Sequence, residues 1–171
     1  ISVYVWIATF GMRRAREFNQ VIDAYVLKNE PSLRAKLLPQ ALDVFAAHRA
    51  KGDRVVVATG APPELAKAIL GFVAHVDVPV IGSEVGPRFG AVGATRHCHN
   101  EEKMRMLRER GYGNIDIAYS DSTADLPLLV AAKAPVVVNP KHGSVDFFRR
   151  VLPEGTRILN WGCADRGGEK A

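Results

Sequence analysis

The sequence predicts a parallel α/β fold preceded by a helical segment, and three observations support this. Short runs rich in valine and isoleucine recur after residue 50, and segments with helical spacing separate them. Such alternation is typical of βαβ units, whose strands pair in parallel. Before residue 50 the apolar residues recur only at helical spacings. The length of 171 residues, 47% of them hydrophobic, is sufficient for one well-cored domain.

The helical segment covers residues 11–49. Pro31 and Ser32 divide it into two predicted helices, and a turn at 51–53 ends it. Its apolar positions are Phe18, Val21, Ile22, Tyr25, Leu33, Leu37, Leu38, Leu42, Phe45 and Ala46. We therefore expect a helical cap with connecting helices at residues 1–50, an α/β core at 51–161 and a mobile tail at 162–171.

In the core, the apolar runs predict strands and the periodic segments predict helices. Strands are expected at 55–58, 78–81, 115–119, 135–138 and 156–159, and helices at 65–72, 100–110, 126–132 and 144–152. The continuous β-branched run at 55–58 is typical of a strand buried on both faces. Glycines between 86 and 93 indicate a small hairpin or loop.

The charge indicates an anionic partner. A net charge of +5 and a pI near 9.4 fit a phosphorylated substrate, an acidic membrane surface or nucleic acid. Nucleic acid is not expected, because no dense basic run is interleaved with aromatic residues. Cys98 and Cys163 form neither a CxxC pair nor a metal-ligand set, which favours a reducing, cytoplasmic setting. The apolar residues 1–10 are about half the length of a spanning helix, so a buried helix and part of a longer segment both remain open.

Polar residues follow the predicted strand at 115–119. Asp121 and Asp125 come four residues apart, at the carboxyl edge where open α/β sheets bind ligands. Carboxylate oxygens there suit Mg²⁺, which takes one or two carboxylates together with waters and phosphate oxygens. The alternative is that Asp121 or Ser122 caps the next helix and that Asp125 stabilises its first turn.

Two further positions suit phosphate. Thr59 follows the strand at 55–58 and, with Gly60 and the amides of the next helix, could donate to a phosphoryl oxygen; the alternative is a plain N-cap. Lys103 lies early in a predicted helix, where a surface lysine is the usual explanation.

The order of these motifs resembles that of the haloacid-dehalogenase-like phosphatases. V-V-V-A-T-G-A-P, H-N-E-E-K and Y-S-D-S-T-A-D-L-P-L-L are similar to the second, third and fourth motifs of that family, and V-V-V-N-P and R-I-L-N-W resemble its phosphoserine phosphatase branch. The resemblance covers residues 38–161. It implies a Mg²⁺-dependent phosphohydrolase on a Rossmann-like, three-layer α/β/α parallel sheet with a small helical cap.

The resemblance also implies roles for the matching residues. Asp121 would ligate Mg²⁺, and Asp125 would orient Lys103 or a metal-bound water. Thr59 and the amide of Gly60 would hold a phosphoryl oxygen, while Lys103 would offset the charge of the nucleophile and the transition state.

Within that branch, three passages are most similar to the phosphatidylglycerophosphatase C family, which removes phosphate from a phospholipid head group. They are residues 6–11, residues 96–98 and Y-S-D-S. The expected setting is then the inner face of the bacterial inner membrane. Arg88, Arg96, His97 and His99 would bind a second anionic group of the substrate. The alternative is that these four residues are only exposed to solvent. Arg13, Arg14 and Arg16 would contact anionic lipid head groups. The alternative is that they lie on a helix face exposed to solvent.

One departure from the family is that the sequence contains no D-x-D, the first motif, which supplies the nucleophile and the general acid/base. By position this motif should precede Ile1, so we expect the catalytic aspartates upstream and no turnover by the 171 residues alone. The strand that carries it would lie between those ending at Thr59 and Tyr119, and its loss would leave two unpaired edges. Alternatives are a soluble phosphatase of phosphoserine phosphatase type and a non-catalytic binding or regulatory domain.

Overall fold

The computed structural model of the chain describes residues 15–88 and 91–162, without the side chains of residues 15, 16, 87, 88 and 91. The predictions for residues 1–11, for Arg13 and Arg14 and for the tail beyond Gly162 concern residues outside these ranges. The predicted roles of the Arg16 and Arg88 side chains also lie outside the described residues.

The N-terminal part is helical, as predicted, but residues 15–50 form three helices and not two. Pro31 and Ser32 lie within the second helix and do not divide the segment, because proline is tolerated in the first turn of a helix. Its helices are α1 (Ala15–Lys28), α2 (Glu30–Arg34) and α3 (Pro39–Ala50). Prolines occupy the first turns of α2 and α3, where a missing backbone N–H removes no intrahelical bond. Gly52 then turns the chain with φ 77°, which glycine adopts without steric cost.

Apart from three consecutive strands at residues 80–96, the remaining elements alternate between strand and helix, also as predicted. The strands are β1 (Val57–Thr59), β2 (Val80–Gly82), β3 (Glu84–Arg88), β4 (Ala91–Arg96), β5 (Ile115–Ser120), β6 (Ala132–Val138) and β7 (Arg157–Leu159). The helices are α4 (Pro63–Ala68, continued by a π-helical turn, Ile69–Val73), α5 (Asn100–Glu109), α6 (Leu126–Ala131) and α7 (Val145–Val151). The glycine-rich passage forms the antiparallel hairpin β3–β4.

The parallel strands form two separate sheets within the described ranges. One has the order β1–β2, and the other has the order β5–β6–β7. No described strand pairs with the second edge of β1 or of β5, which agrees with the expected gap between the strands ending at Thr59 and Tyr119.

The prediction that the strand at 55–58 is buried on both faces is wrong. Each of these residues is only half-buried, because an edge strand lacks one neighbour whose side chains would cover it. The central strand β6 shows the contrast, since Val136 and Val137 are completely buried between two partners.

Helix α5 connects the two parallel sheets. Its buried stripe of Met104, Met106 and Leu107 packs against Ala58 of β1 and against Ile115 of β5. One helix therefore holds the ends of both sheets close to the same core. This arrangement brings the polar residues that follow β1 and β5 to the same side of the molecule as the start of α5.

Two further clusters complete the core. In the first, Phe18, Ile22 and Val26 of α1 pack against α4, its π-helical turn and the hairpin. Burying each of these side chains stabilises the fold by about 1.5–3 kcal/mol. The second cluster lies around β5, β6, α6 and α7, and Leu129 and Phe148 are its largest buried side chains.

Candidate phosphate site

The carboxyl end of β1 carries the first predicted site residues: Thr59 is the last residue of the strand, and Gly60 follows it. The Thr59 hydroxyl oxygen accepts a hydrogen bond of 3.1 Å from the N–H of Ala61, which closes a short turn. Its own hydrogen remains a donor, so the same hydroxyl can also bind a phosphoryl oxygen. The N-cap residue of α4 is Pro62, so Thr59 is not the N-cap that the alternative interpretation proposed.

Lys103 is buried in the first half of α5, and only 5% of its surface is exposed. Its ammonium donates to Asp125 Oδ1. The alternative interpretation of a surface lysine is therefore wrong. A buried ammonium keeps its charge only with a hydrogen-bonded partner of opposite charge, and Asp125 supplies it.

Asp125 lies in the short 3₁₀ turn Thr123–Asp125 that follows β5. Its second oxygen, Oδ2, accepts a hydrogen bond of 2.8 Å from the Ser120 hydroxyl. Asp125 is at the N-cap of α6 but makes no side-chain capping bond there. Both carboxylate oxygens thus hold polar side chains, a role that comes in addition to the expected stabilisation of the first helical turn.

Asp121 is exposed and comes directly after β5. The next residue, Ser122, caps the 3₁₀ turn by accepting the N–H of Ala124 at 3.2 Å. Capping at this strand end therefore belongs to Ser122 and not to Asp121.

Cys98 joins the two halves of the site. Burial raises the pKa of its thiol, the Lys103 ammonium opposes this and the Asp125 carboxylate adds to it. A Cβ added at Gly60, the residue after Thr59, would lie 3.9 Å from the Cys98 carbonyl oxygen. Cys98 also belongs to the buried cluster against which Ala58 of β1 packs. Cys98 therefore lies beside the chain segment that carries Thr59 and Gly60, and within electrostatic reach of the Lys103–Asp125 pair.

Arg96 and His97 are the predicted residues for a second anionic group. The Arg96 guanidinium donates to both Glu109 oxygens at 2.7 and 2.9 Å and to Glu102, and it lies 3.9 Å from Glu84. These hydrogen bonds, first those to Glu109 and then the one to Glu102, raise the pKa of Arg96. His97 is exposed. Surrounding carboxylates thus compensate the Arg96 charge, and a substrate-binding role for Arg96 and His97 stays a prediction.

Two buried serines were missed by the sequence analysis. Ser120 donates to Asp125, and Ser83, 2% exposed, follows β2. Thr59 ends β1 and pairs with Gly82, and Ser83 is the next residue, so the rule that polar residues at carboxyl strand ends line sites could have found Ser83.

The carboxylates allow a test of the predicted Mg²⁺ site. Within residues 15–88 and 91–162, no three or more Asp, Glu, His or Cys side chains are grouped as a metal-binding set. Asp125 has both oxygens engaged by Lys103 and Ser120. Asp121 presents an exposed carboxylate, and a single carboxylate with waters and a phosphate oxygen is one of the ways in which proteins hold Mg²⁺. Mg²⁺ binding at Asp121 therefore stays a prediction.

Comparison with known proteins identifies the family of the chain. The family model of the haloacid dehalogenase-like hydrolases matches residues 2–130, a span that contains Thr59, Lys103, Asp121 and Asp125. The chain belongs to this family. Its members are hydrolases, so the carboxyl-edge cluster is the candidate active site of a haloacid dehalogenase-like hydrolase.

Two relatives of this haloacid dehalogenase-like chain come from Mycobacterium tuberculosis. One, from strain ATCC 25618 / H37Rv, is called a probable phosphatase, and the other, from strain CDC 1551 / Oshkosh, an uncharacterized protein. Each is 36% identical over 112 residues, which cover 61% of this chain and 38% of the relative. The matched region is thus well under half of either relative.

A solved structure has the same fold. It is a protein of unknown function from Bordetella pertussis Tohama I, with a TM-score of 0.68 and 21% sequence identity. The match covers 90% of this chain and 70% of the other. The parallel α/β architecture predicted from the sequence is thereby confirmed.

Proposed function

We propose that the chain forms the phosphate-binding and metal-binding part of a Mg²⁺-dependent phosphomonoester hydrolase. The observation that carries this proposal is the convergence of Thr59, Lys103 and Asp125 around Cys98. A hydroxyl and an ammonium are the donors that a phosphoryl group requires. The likeness to the mycobacterial probable phosphatase supports the same activity.

Each residue would have a defined task in this reaction. The Thr59 hydroxyl and the Gly60 amide hold a phosphoryl oxygen, and Lys103 offsets the negative charge that phosphate brings to a partly buried site. Asp125 and Ser120 fix the direction of the Lys103 ammonium. Asp121 would hold Mg²⁺, which when bound screens the repulsion between an attacking carboxylate and the phosphate.

The proposed chemistry proceeds through an aspartyl-phosphate. A carboxylate oxygen forms a bond to phosphorus, the ester P–O bond breaks, and a carboxylic acid gives its proton to the leaving alcohol. The carboxylate that gave up its proton then takes one from a water molecule as that water attacks phosphorus. The acyl phosphate P–O bond breaks, inorganic phosphate leaves, and both the nucleophilic carboxylate and the carboxylic acid are restored. Both aspartates belong to a D-x-D motif that the 171 residues do not contain, so the proposal includes a nucleophile carried outside them.

For the substrate, we propose a phospholipid head-group phosphate, with phosphatidylglycerophosphate converted to phosphatidylglycerol at the inner face of the bacterial inner membrane. The support is the sequence resemblance together with the net charge of +5. No helix in the described ranges is both long enough and apolar enough to cross a bilayer. Phosphoserine is the competing substrate, because phosphoserine phosphatases share these motifs.

A calorimetric titration tests the site: inorganic phosphate is added to the 171-residue chain in the presence of Mg²⁺, and its affinity is measured. We expect the wild type and Lys133→Met to bind phosphate equally, because Lys133 is an exposed lysine paired with Asp116. Lys103→Met should bind at least tenfold more weakly. Absence of binding by the wild type, or unchanged binding by folded Lys103→Met, would refute the proposed site.

Phosphate release by the product of the complete gene tests the activity. We expect Mg²⁺-dependent release, faster from phosphatidylglycerophosphate in mixed micelles than from phosphoserine, and a loss of at least tenfold in Asp121→Asn. Faster release from phosphoserine would refute the lipid substrate, and unchanged activity of Asp121→Asn would refute the metal ligand.

A further inference from the structure

We propose that Ser83 is a positioning residue for phosphate, one that fixes the Thr59 loop relative to the segment that leads to Lys103. This inference rests on the proposed function. Ser83 follows β2 directly and belongs to neither of the two segments that it joins. Its hydroxyl is buried, although no substrate atom is expected to touch it.

The contacts of Ser83 join the two halves of the site. Its Oγ donates to the carbonyl oxygen of Gly60 at 2.7 Å and accepts the N–H of Cys98 at 3.0 Å. Its own N–H donates to the carbonyl oxygen of Ala61 at 3.0 Å. Two hydrogen bonds thus hold the loop that follows Thr59, and a third holds the residue five positions before Lys103.

A serine suits this position because one hydroxyl can donate and accept at the same time. Alanine would leave the Gly60 carbonyl and the Cys98 N–H without this partner next to the site. Because Cys98 is fully buried, an unsatisfied N–H there is costly, so the Cys98 segment would move away from the loop to recruit another partner. The Thr59 hydroxyl and the Lys103 ammonium would then no longer meet one phosphoryl group at the same time.

Close packing beside Ser83 supports a positioning role. At Gly82, an added Cβ would lie 2.4 Å from the Ala61 carbonyl oxygen and 2.9 Å from the Pro63 nitrogen. The backbone of β2 therefore presses directly against the loop after Thr59. Gly82 and Ser83 together set the loop position, the first by contact and the second by hydrogen bonds.

The experiment measures the dissociation constant of inorganic phosphate with Mg²⁺ by calorimetry, together with the thermal midpoint of each protein. The variants are Ser83→Ala, Ser83→Cys and Gly82→Ala. The matched control is Ser144→Ala, because the Ser144 hydroxyl also donates to a backbone carbonyl, that of Lys141, at 2.8 Å. Ser83→Cys keeps a side chain of similar size with weaker hydrogen bonds, and it remains available if Ser83→Ala does not fold.

We expect Ser83→Ala and Gly82→Ala to bind phosphate about tenfold more weakly than the wild type. Ser83→Cys should have an intermediate affinity, and Ser144→Ala should bind as the wild type does. A purely structural serine would lower the thermal midpoint and leave the phosphate affinity of the folded protein as it was, and that result would overturn the inference. If Ser83→Ala does not fold, wild-type affinity in Ser83→Cys overturns it instead. Wild-type protein that binds no phosphate refutes the proposed function itself, which separates the two failures.

Discussion

The Lys103–Asp125 ion pair gives the most direct test of the site geometry, through the stability of the fold. The side chains of Lys103 and Asp125 are 6% and 14% exposed, so solvent screens their attraction little. Removing one partner of a buried pair costs about 3–5 kcal/mol. Because Ser120 still donates to Asp125 in Lys103→Met, we expect a loss near the lower end, about 3 kcal/mol.

A double-mutant cycle measures the interaction free energy of this pair, with urea unfolding monitored by circular dichroism. With an m-value of about 2 kcal/mol/M, a loss of about 3 kcal/mol lowers the midpoint by about 1.5 M. Lys103→Met and Asp125→Asn should each show a loss of this size, and the double variant should lose about 2 kcal/mol less than their sum. The reason is that the second substitution removes a charge that the first has already left without its partner.

The exposed pair Lys133–Asp116 is the matched control. Its N–O distance is 2.7 Å, yet both side chains are 78% exposed, so we expect no measurable change in unfolding for Lys133→Met. Two results would show that Lys103 is not held by Asp125 in a buried pair. One is that the losses of unfolding free energy in Lys103→Met and Asp125→Asn simply add in the double variant. The other is that each of these losses is no larger than the loss in Lys133→Met. In that case Asp125 would not position the Lys103 ammonium for phosphate, and the proposed phosphate site would be wrong.

Three further predictions concern other parts of the molecule. Because burial raises the pKa of Cys98, iodoacetamide at pH 8 should alkylate this thiol slowly in the native protein. In the Cys163→Ser variant, where Cys98 is the remaining cysteine, the rate should be at least tenfold lower in native than in urea-unfolded protein. Equal rates would contradict the buried position. Gly82→Ala should destabilise the fold by about 1–3 kcal/mol in chemical unfolding because of the close Ala61 carbonyl, whereas Gly71→Ala, where an added Cβ meets nothing within 4 Å, should not. The hydrogen bonds from Arg96 lower the pKa of Glu109, so the stability from this contact is present above the ordinary glutamate pKa and is lost as the pH falls through the lowered value. Unfolding midpoints measured across acidic pH should therefore fall less steeply in Glu109→Gln, and an unchanged slope would contradict this assignment.

Much of the fold could be predicted from the sequence because its signals are local. The change from helical spacing to β-branched runs after residue 50 marks where strands begin, and the observed elements follow the predicted order. The motif order also selected Thr59, Lys103 and Asp125, which the structure brings together around Cys98. Helix and strand periods depend on neighbouring residues, so they can be read without knowing the tertiary contacts.

The sequence could not predict how polar side chains are partnered. Lys103 and Asp125 are 22 residues apart, and Ser83 and Gly60 are 23 apart. Nothing in the charge of Arg96 indicated that Glu84, Glu102 and Glu109 would surround it. These pairings depend on which elements pack together, and that is decided by the whole core.

The sequence by itself determined the family, the order of the elements and the residue types available for phosphate. Only the tertiary structure decided that Lys103 is buried, that Ser83 joins two loops and that β1 and β5 belong to different sheets. The physical reason is that a hydrogen bond or a strand pairing between distant residues forms only where packing of the core brings both partners within about 3 Å.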